Sequence, residues 1–322
     1  MNAEQRVHVE YELVPLGATD IRIRPLGIGT WAWGDKLVWG YGKHYSDEDL
    51  REAFEACVTA GVTLFDTAEI YGWGRSERLL GQFIREQGTS VVVATKFFPY
   101  PWRLWRGALR RALCGSLRRL NTCQVSLYQI HWPFRPRSID TWVEALADVA
   151  EQGLTRAVGV SNYNREQTER AYHLLARRGI PLASNQVQYN LLHREPERTG
   201  LLSFCQEHQI TLLAYSPLAM GILTGKYSVD NPPPGVRGRR YNRHQLARVQ
   251  PLLDLLQEIA AARGKTPAQV ALNWVICKGA IPIVGAKNRR QAEENVAALG
   301  WRLTPEEVRA LDALSEQVRA RE

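Results

Sequence analysis

The chain has 322 residues, of which 45% are hydrophobic and 23% charged, a composition that lets a globular chain remove roughly 75% of its extended surface from water. No run reaches the ~18 uncharged apolar residues of a membrane helix; the longest candidate, 210–225, is broken by Pro217 and Gly221. The first ten residues show no secretory pattern, so a cytoplasmic location is expected by default. The net charge of +8 arises from 41 Lys and Arg interleaved with 33 acidic residues, which argues against nucleic acid as a partner and for solvated basic faces.

The densest basic groups are Arg103, Arg106, Arg110 and Arg111, then Arg237, Arg239, Arg240 and Arg243. A sharper reading of that excess charge is attraction of a small polyanion, such as a phosphorylated cofactor. Cys57, Cys114, Cys123, Cys205 and Cys277 are odd in number and form no CxxC pair. They are expected to be reduced, mostly buried thiols, without a disulfide framework or a metal site.

In chain order, 11–14 and 21–24, joined by Gly17-Ala18-Thr19-Asp20, predict a hairpin that plugs one end of the fold. Eight short apolar or β-branched runs follow, at 26–29, 62–65, 91–94, 125–130, 157–160, 183–187, 211–214 and 281–284; each is too short for a helix. Amphipathic stretches with helix-start signals separate them. Ser46 precedes Asp47, Glu48 and Asp49, Ser76-Glu77 opens 78–86 before Gly88, and Thr266-Pro267 opens 268–277. Residues 218–243 form a long loop after the seventh run, and 304–318, from a Thr-Pro-Glu-Glu start, form a closing helix. Eight strands alternating with helices predict a parallel sheet, and eight is the number that closes. The expectation is a single (β/α)8 TIM barrel over 1–322, with an open doubly wound sheet as the rival.

Polar residues recur at one end of these runs. The second run ends at Asp66, the third at Lys96, the fourth at His131 and the fifth at Ser161-Asn162. The sixth carries Gln186, the seventh ends at Tyr215-Ser216 and the eighth at Gly285 and Lys287. In a parallel barrel these ends share one mouth, where active sites lie. Asp66 and Lys96 would form a partly buried pair, with Tyr71 reaching the same point from the loop. An ammonium beside a phenol of ordinary pKa near 10 would lower that pKa. With His131 as a second donor, the set makes a general acid for an oxygen that develops negative charge. There is no GxSxG elbow, no metal-ligand spacing, and no GxGxxG opening a helix after a strand.

These residues lie in motifs that resemble the aldo-keto reductase family over nearly the whole chain. The motifs are Gly27-Ile28-Gly29-Thr30-Trp31, Phe65-Asp66-Thr67-Ala68-Glu69-Ile70-Tyr71-Gly72, Ala94-Thr95-Lys96 and Gln129-Ile130-His131-Trp132-Pro133. They continue with Gly159-Val160-Ser161-Asn162, Asn185-Gln186-Val187-Gln188-Tyr189-Asn190, Ala214-Tyr215-Ser216-Pro217-Leu218 and 291–295. The resemblance implies an NADPH-dependent carbonyl reductase with Tyr71 as acid, Lys96 and Asp66 tuning it and His131 orienting the carbonyl. It implies that Ser161, Asn162 and Gln186 hold the nicotinamide carboxamide and that Tyr215 stacks on its ring. Ser216, Leu218 and Gly221 would pass over the pyrophosphate, and Lys287, Gln291, Glu294 and Asn295 would bind the adenosine end. Gly29, Thr30, Trp31 and Gly285 would complete the cofactor cradle, and Trp33 and Trp132 would wall the substrate pocket.

One position departs from the family pattern. Asn288 follows Lys287 where a basic or hydroxyl residue is frequent, so a 2′-phosphate preference rests on Lys287, helped by Arg290. Residues 97–106, rich in aromatics and carrying Arg103 and Arg106, are expected to overhang the mouth and favour an aromatic or anionic aldehyde; the alternative is that both arginines face bulk solvent. Two rival functions remain open. One is a redox-sensing regulatory subunit like those of potassium channels. The other is a Schiff-base lyase using Lys96, disfavoured because Asp66 would hold the ammonium charged.

Overall fold

Alternation along very short strands decides the architecture. In the computed structural model, which describes residues 12–36, 38–233, 238 and 241–320, Leu64, Ala94 and Leu127 face one way, while their neighbours Phe65, Val93 and Tyr128 join the opposite apolar cluster. A strand with apolar groups on both faces must be covered on both. Here a closed ring serves one face and a shell of helices the other.

The ring consists of β3 (Gly27–Gly29), β4 (Leu64–Asp66), β5 (Val92–Phe97), β6 (Val125–Ile130), β7 (Thr155–Ser161), β8 (Leu182–Gln188), β9 (Thr211–Tyr215) and β10 (Ile281–Gly285). All neighbours are parallel, and β10 pairs with β3 to close the barrel. The expected (β/α)8 barrel is therefore what the chain forms, and the open sheet is excluded. Several strands extend further toward the mouth than the apolar runs imply. Asp66, Lys96, Ser161 and Tyr215 lie inside the ladder rather than after it.

Before the barrel, β1 (Val14–Pro15) and β2 (Arg22–Ile23) form the expected hairpin; Tyr11, at its predicted start, lies outside the described residues. Leu16, Ile21 and Ile23 pack on Leu64, Ala94, Leu127, Ala157, Ala183, Leu213, Ile281 and Ile283 and seal the amino-terminal end of the barrel. Each buried leucine or isoleucine of this set contributes about 1.5–3 kcal/mol.

Helix starts follow their capping chemistry. Ser46 and Asp49 form a reciprocal capping box before Asp47–Thr59, as do Thr266 and Gln269 before Pro267–Cys277. Ser76-Glu77 does not act as a start. The helix Arg75–Gln87 begins one residue earlier, after the left-handed Gly74, and both residues are wholly buried. The Ser76 hydroxyl donates to the Thr30 carbonyl, and Glu77 pairs with Arg119 at 2.6 Å. Burial of partnered polar atoms outweighed the local capping preference.

The segment after β9 opens with a tight turn, Ala219–Thr224, and reaches the helix Arg243–Arg263. Arg237, Arg239 and Arg240 lie outside the described residues. The closing helix, Pro305–Ala320, is tied to the body through Asp312, which receives Lys278 at 3.0 Å and Arg194 at 3.2 Å. Among the described residues no helix is long and apolar enough to cross a membrane. The cysteines are all free, but only Cys57 and Cys205 are buried, and burial pushes both thiols up to about 12. Cys114 and Cys277 are half-buried and Cys123 is exposed, so the expectation of mostly buried thiols holds for two of them.

Gly17 marks the tightest approach of plug and barrel. Its φ is +59°, and a Cβ there would lie 2.4 Å from the Ala183 carbonyl oxygen. A Gly17→Ala substitution should lower unfolding stability by about 2–4 kcal/mol, measured by urea titration; a change within error would show that the plug tolerates displacement.

Candidate active site

The inward period-2 register that places Leu64, Ala94 and Leu127 against the plug places Asp66, Lys96 and Gln129 two residues nearer the mouth. Lys96 is wholly buried and Asp66 is 2% exposed. Lys96 Nζ donates to Asp66 Oδ1 at 2.5 Å, to the Thr67 carbonyl at 2.9 Å and to Tyr71 Oη at 3.4 Å. The second carboxylate oxygen of Asp66 accepts from Gln186 Nε2 at 2.8 Å and from Gln129 Nε2 at 3.4 Å. A buried charge pair is tolerable only with such additional partners. Burial pulls the Lys96 ammonium down, but Asp66 and then Tyr71 outweigh it and leave its pKa above the usual lysine value.

Tyr71 opens a short turn, Tyr71–Gly74, in which Gly72, Trp73 and Gly74 take φ of +53°, +57° and +79°. A Cβ at Gly72 would lie 2.9 Å from the Gly34 carbonyl oxygen, so a glycine is needed where this turn crosses the β3 loop. The tyrosine is half-buried. Burial pushes its phenol above the ordinary value; Lys96 acts in the opposite direction and does not prevail. Lys96 thus lowers this pKa as expected, but desolvation of the phenolate outweighs it and the Asp66 charge adds to the rise. At neutral pH the hydroxyl is a proton donor.

His131, 7% exposed, lies with its ring edge-on to Tyr71 at 5.8 Å. Its backbone is held on both sides, the N–H donating to the Phe97 carbonyl and the carbonyl accepting from Asn162 Nδ2. Nδ1 is buried without a hydrogen-bond partner. Burial, and secondarily Lys96, push the ring's pKa well below the ordinary value, so the imidazole is neutral. The folded chain binds a proton here less readily than the unfolded chain. Stability is therefore full above the unfolded value of about 6.5 and is lost as pH falls below it. A His131→Gln variant should lose less unfolding free energy than wild type between about pH 7 and pH 5; parallel urea-derived curves would contradict this.

The expected cofactor residues form a linked web at the same rim. Ser161 Oγ donates to the Gln186 carbonyl at 2.8 Å, and Asn162 Nδ2 donates to Ser161 Oγ at 3.1 Å. Tyr215 Oη donates to Asn162 Oδ1 at 3.0 Å. Asn162 and Ser216 both take left-handed backbone, at φ +62° and +51°. The side-chain amide of Gln186 is directed at Asp66 rather than at open space. Leu218 accepts from the Gly221 N–H, and both are half-buried, as is Gly29. Gly285 is the exposed register partner of Gly29.

Lys287 leads into the helix Arg289–Val296, capped by Asn288, whose side chain accepts from the Gln291 N–H at 3.0 Å. The Lys287 ammonium rests 5.4 Å from the Trp39 ring centre and 5.2 Å from that of Tyr45. Gln291 Oε1 accepts from the Lys287 N–H, and Asn295 Nδ2 donates to the Gly285 carbonyl. These two side chains brace the strand-to-helix turn. Glu294 pairs with the largely exposed Arg290 at 3.4 Å.

Three expectations need correction. Trp33 is wholly buried against Phe65 and Phe83, its Nε1 donating to the Ala286 carbonyl, so it lines no mouth. Thr30 is likewise wholly buried, its hydroxyl donating to the Asp66 carbonyl and shared with Ser76; it braces the strand that carries Asp66. Neither expected mouth arginine is free for a substrate anion. Arg103 is taken up by Glu69, and Arg106 by Asp148 on the outer helices. By contrast, Trp31 is 42% exposed beside Tyr71, and Trp132 is half-buried and stacked on Phe134 at 5.2 Å. Gln129, Glu69 and Trp39 were not singled out in the sequence. Gln129 was findable, since it lies two residues after the inward Leu127. Among the described residues no group of three or more His, Cys, Asp or Glu is placed to hold a metal ion.

A closed parallel barrel bearing Asp, Tyr, Lys and His at its carboxyl rim defines the class of protein. The sequence model of the Aldo/keto reductase family matches residues 25–316. A relative, "Pyridoxal reductase, chloroplastic" of Arabidopsis thaliana, is 46% identical over 311 residues, covering 92% of this chain and 84% of its own. "Probable voltage-gated potassium channel subunit beta" of Oryza sativa subsp. japonica is 31% identical over 319 residues, covering 93% and 95% respectively. A crystal structure of an aldo/keto reductase from Klebsiella pneumoniae in complex with NADP and acetate is similar at TM-score 0.72 and 30% identity, over 93% of this chain and 94% of that one. The chain belongs to the aldo/keto reductase family and is an oxidoreductase of that kind.

Proposed function

We propose that the protein reduces aldehydes or ketones to alcohols with NADPH, using Tyr71 as the general acid. The observation that carries this reading is the Lys96 ammonium, bonded at once to Asp66 and to the Tyr71 hydroxyl inside the barrel. The donor set suits a phosphorylated dinucleotide. Lys287 stands at a capped helix start, where a cation and the positive end of the helix dipole favour a phosphate. Ser161, Asn162 and Tyr215 supply amide and hydroxyl groups and one flat ring, Gln186 offers only its amide oxygen because Asp66 holds its Nε2, and Gly29, Ser216, Leu218, Gly221 and Gly285 line the same rim. NADPH, when bound, supplies the hydride to the carbonyl carbon.

The chain's own groups then handle the oxygen. Tyr71 Oη gives its proton to that oxygen as negative charge develops there, leaving a phenolate. The Lys96 ammonium stabilises that phenolate, and Asp66 keeps the ammonium charged. His131, neutral, offers one N–H to orient the carbonyl. Trp31 stands beside Tyr71 and favours a flat aromatic aldehyde. The 46% identity to a pyridoxal reductase points to the same class and makes pyridoxal the first compound to assay.

A Tyr71→Phe variant keeps the ring and removes the donor; its kcat should fall about 10²- to 10⁴-fold on a panel of carbonyl compounds. Undiminished reduction by that variant would end the assignment. Lys287→Met should raise KM for NADPH about 10- to 100-fold while moving KM for NADH little; equal shifts would remove Lys287 from phosphate recognition. The likeness to a potassium-channel β subunit favours one second reading, a cofactor-occupied sensor. Tight NADPH binding with negligible turnover on every aldehyde would select it.

A further inference from the structure

Outside the four catalytic groups, the most completely bonded polar contact near the mouth ties two loops together. Glu69 lies two residues before Tyr71 on the segment after β4. Arg103 lies on the segment after β5 that carries Phe98, Tyr100 and Trp102. The guanidinium meets the carboxylate through two parallel bonds, Nη1 to Oε1 at 2.5 Å and Nη2 to Oε2 at 2.9 Å, with side chains only 18% and 9% exposed. The pair also takes both backbone groups of Phe98. Its N–H donates to Glu69 Oε1 at 2.7 Å, and its carbonyl accepts from Arg103 Nη1 at 2.8 Å. The guanidinium further lies 4.8 Å from the Phe97 ring centre and 5.1 Å from that of Tyr100.

Phe98 is therefore held at both ends of its peptide unit, and its ring meets His131 at 5.7 Å, Tyr100 at 4.7 Å and Phe134 at 5.9 Å. The segment from Phe98 to the next helix, Gly107–Leu120, contains no strand or helix of its own. Without an anchor, ordering it would cost backbone entropy residue by residue. A bidentate carboxylate–guanidinium fork supplies direction as well as attraction. Because Glu69 occupies both terminal nitrogens of Arg103, the fork is directed at the loop rather than at an incoming anion.

We propose that Glu69 and Arg103 are a positioning pair that sets the aromatic wall beside His131 and thereby selects flat aromatic carbonyl compounds. This rests on the reductase reading above. The pair touches neither substrate nor cofactor; it acts through Phe98. A ring-bearing aldehyde gains from a fixed wall, whereas a short aliphatic aldehyde is too small to use it. Loosening the wall must therefore penalise the former more.

The test compares benzaldehyde with propanal as substrates of the full-length protein under saturating NADPH, for wild type, Glu69→Gln, Arg103→Met, Arg103→Lys and Phe98→Ala. NADPH binding by fluorescence serves as the check on folding. The benzaldehyde-to-propanal ratio of kcat/KM should fall about tenfold in the variants, the loss appearing in KM for benzaldehyde. Arg103→Lys, which keeps the charge but not the fork, should fall with the others and serves if the neutralising variants do not fold. Equal losses for both substrates, or a wild-type ratio in folded Arg103→Lys and Phe98→Ala, would overturn the proposal while leaving the reductase intact. A wild-type protein inert toward every carbonyl compound would instead defeat the reductase reading, and this inference with it.

Discussion

The Asp66–Lys96 pair lies where neither charge can reach water, and much of the upper half of the barrel is arranged around making that tolerable. An ammonium and a carboxylate withdrawn from solvent each cost several kcal/mol, and their mutual attraction offsets this only when the remaining donors and acceptors are also satisfied. Lys96 uses its other donors on the Thr67 carbonyl and on Tyr71. Asp66 uses its second oxygen on Gln129 and Gln186. Four strands thus contribute to one ion pair, and the closed ring is what brings them within reach of each other. The same arrangement leaves the phenol as the outermost member, with the ammonium behind it.

Stability and chemistry occupy opposite ends of the barrel. At the amino-terminal end, Leu16, Ile21 and Ile23 of the hairpin meet the inward aliphatic layer and exclude water. At the carboxyl end, strand residues give way to left-handed turns at Asn162, Ser216, Ala219 and Met220, and to the three consecutive positive-φ residues after Tyr71. Such backbone is costly for residues other than glycine, and here it is concentrated where the fold must aim side chains into one space. The polar web of Ser161, Asn162, Gln186 and Tyr215 keeps those turns in register with His131.

Much of this was legible before any coordinates. Eight apolar runs separated by capped amphipathic stretches specify a parallel sheet, because each run is too short for a helix and each gap is long enough for a crossover; the pairing of β10 with β3 is what excluded an open sheet. The recurrence of Asp66, Lys96, His131, Asn162 and Tyr215 at one end of those runs placed the mouth. Less was legible wherever burial competed with local preference. Ser76 has the residue type of a helix cap, yet it is buried in a hydroxyl network with Thr30 and Thr67. Trp33 follows Trp31 by only two residues, yet it points into the core while Trp31 remains open. Arg103 looks solvated in sequence and is half-buried against Glu69.

What the sequence determined by itself was the repeating pattern: strand number, crossover type, the plug, and the order of reactive residues along the chain. These depend on short-range periodicity and capping, which a linear string records directly. The tertiary structure alone decided which of those side chains share a boundary and which are shut away from water. It set the direction of the Tyr71 and His131 shifts, the capture of Gln186 by Asp66, and the loss of Arg103 to Glu69. Desolvation and pairing depend on distances between residues far apart in the chain, and they exist only once the ring has closed.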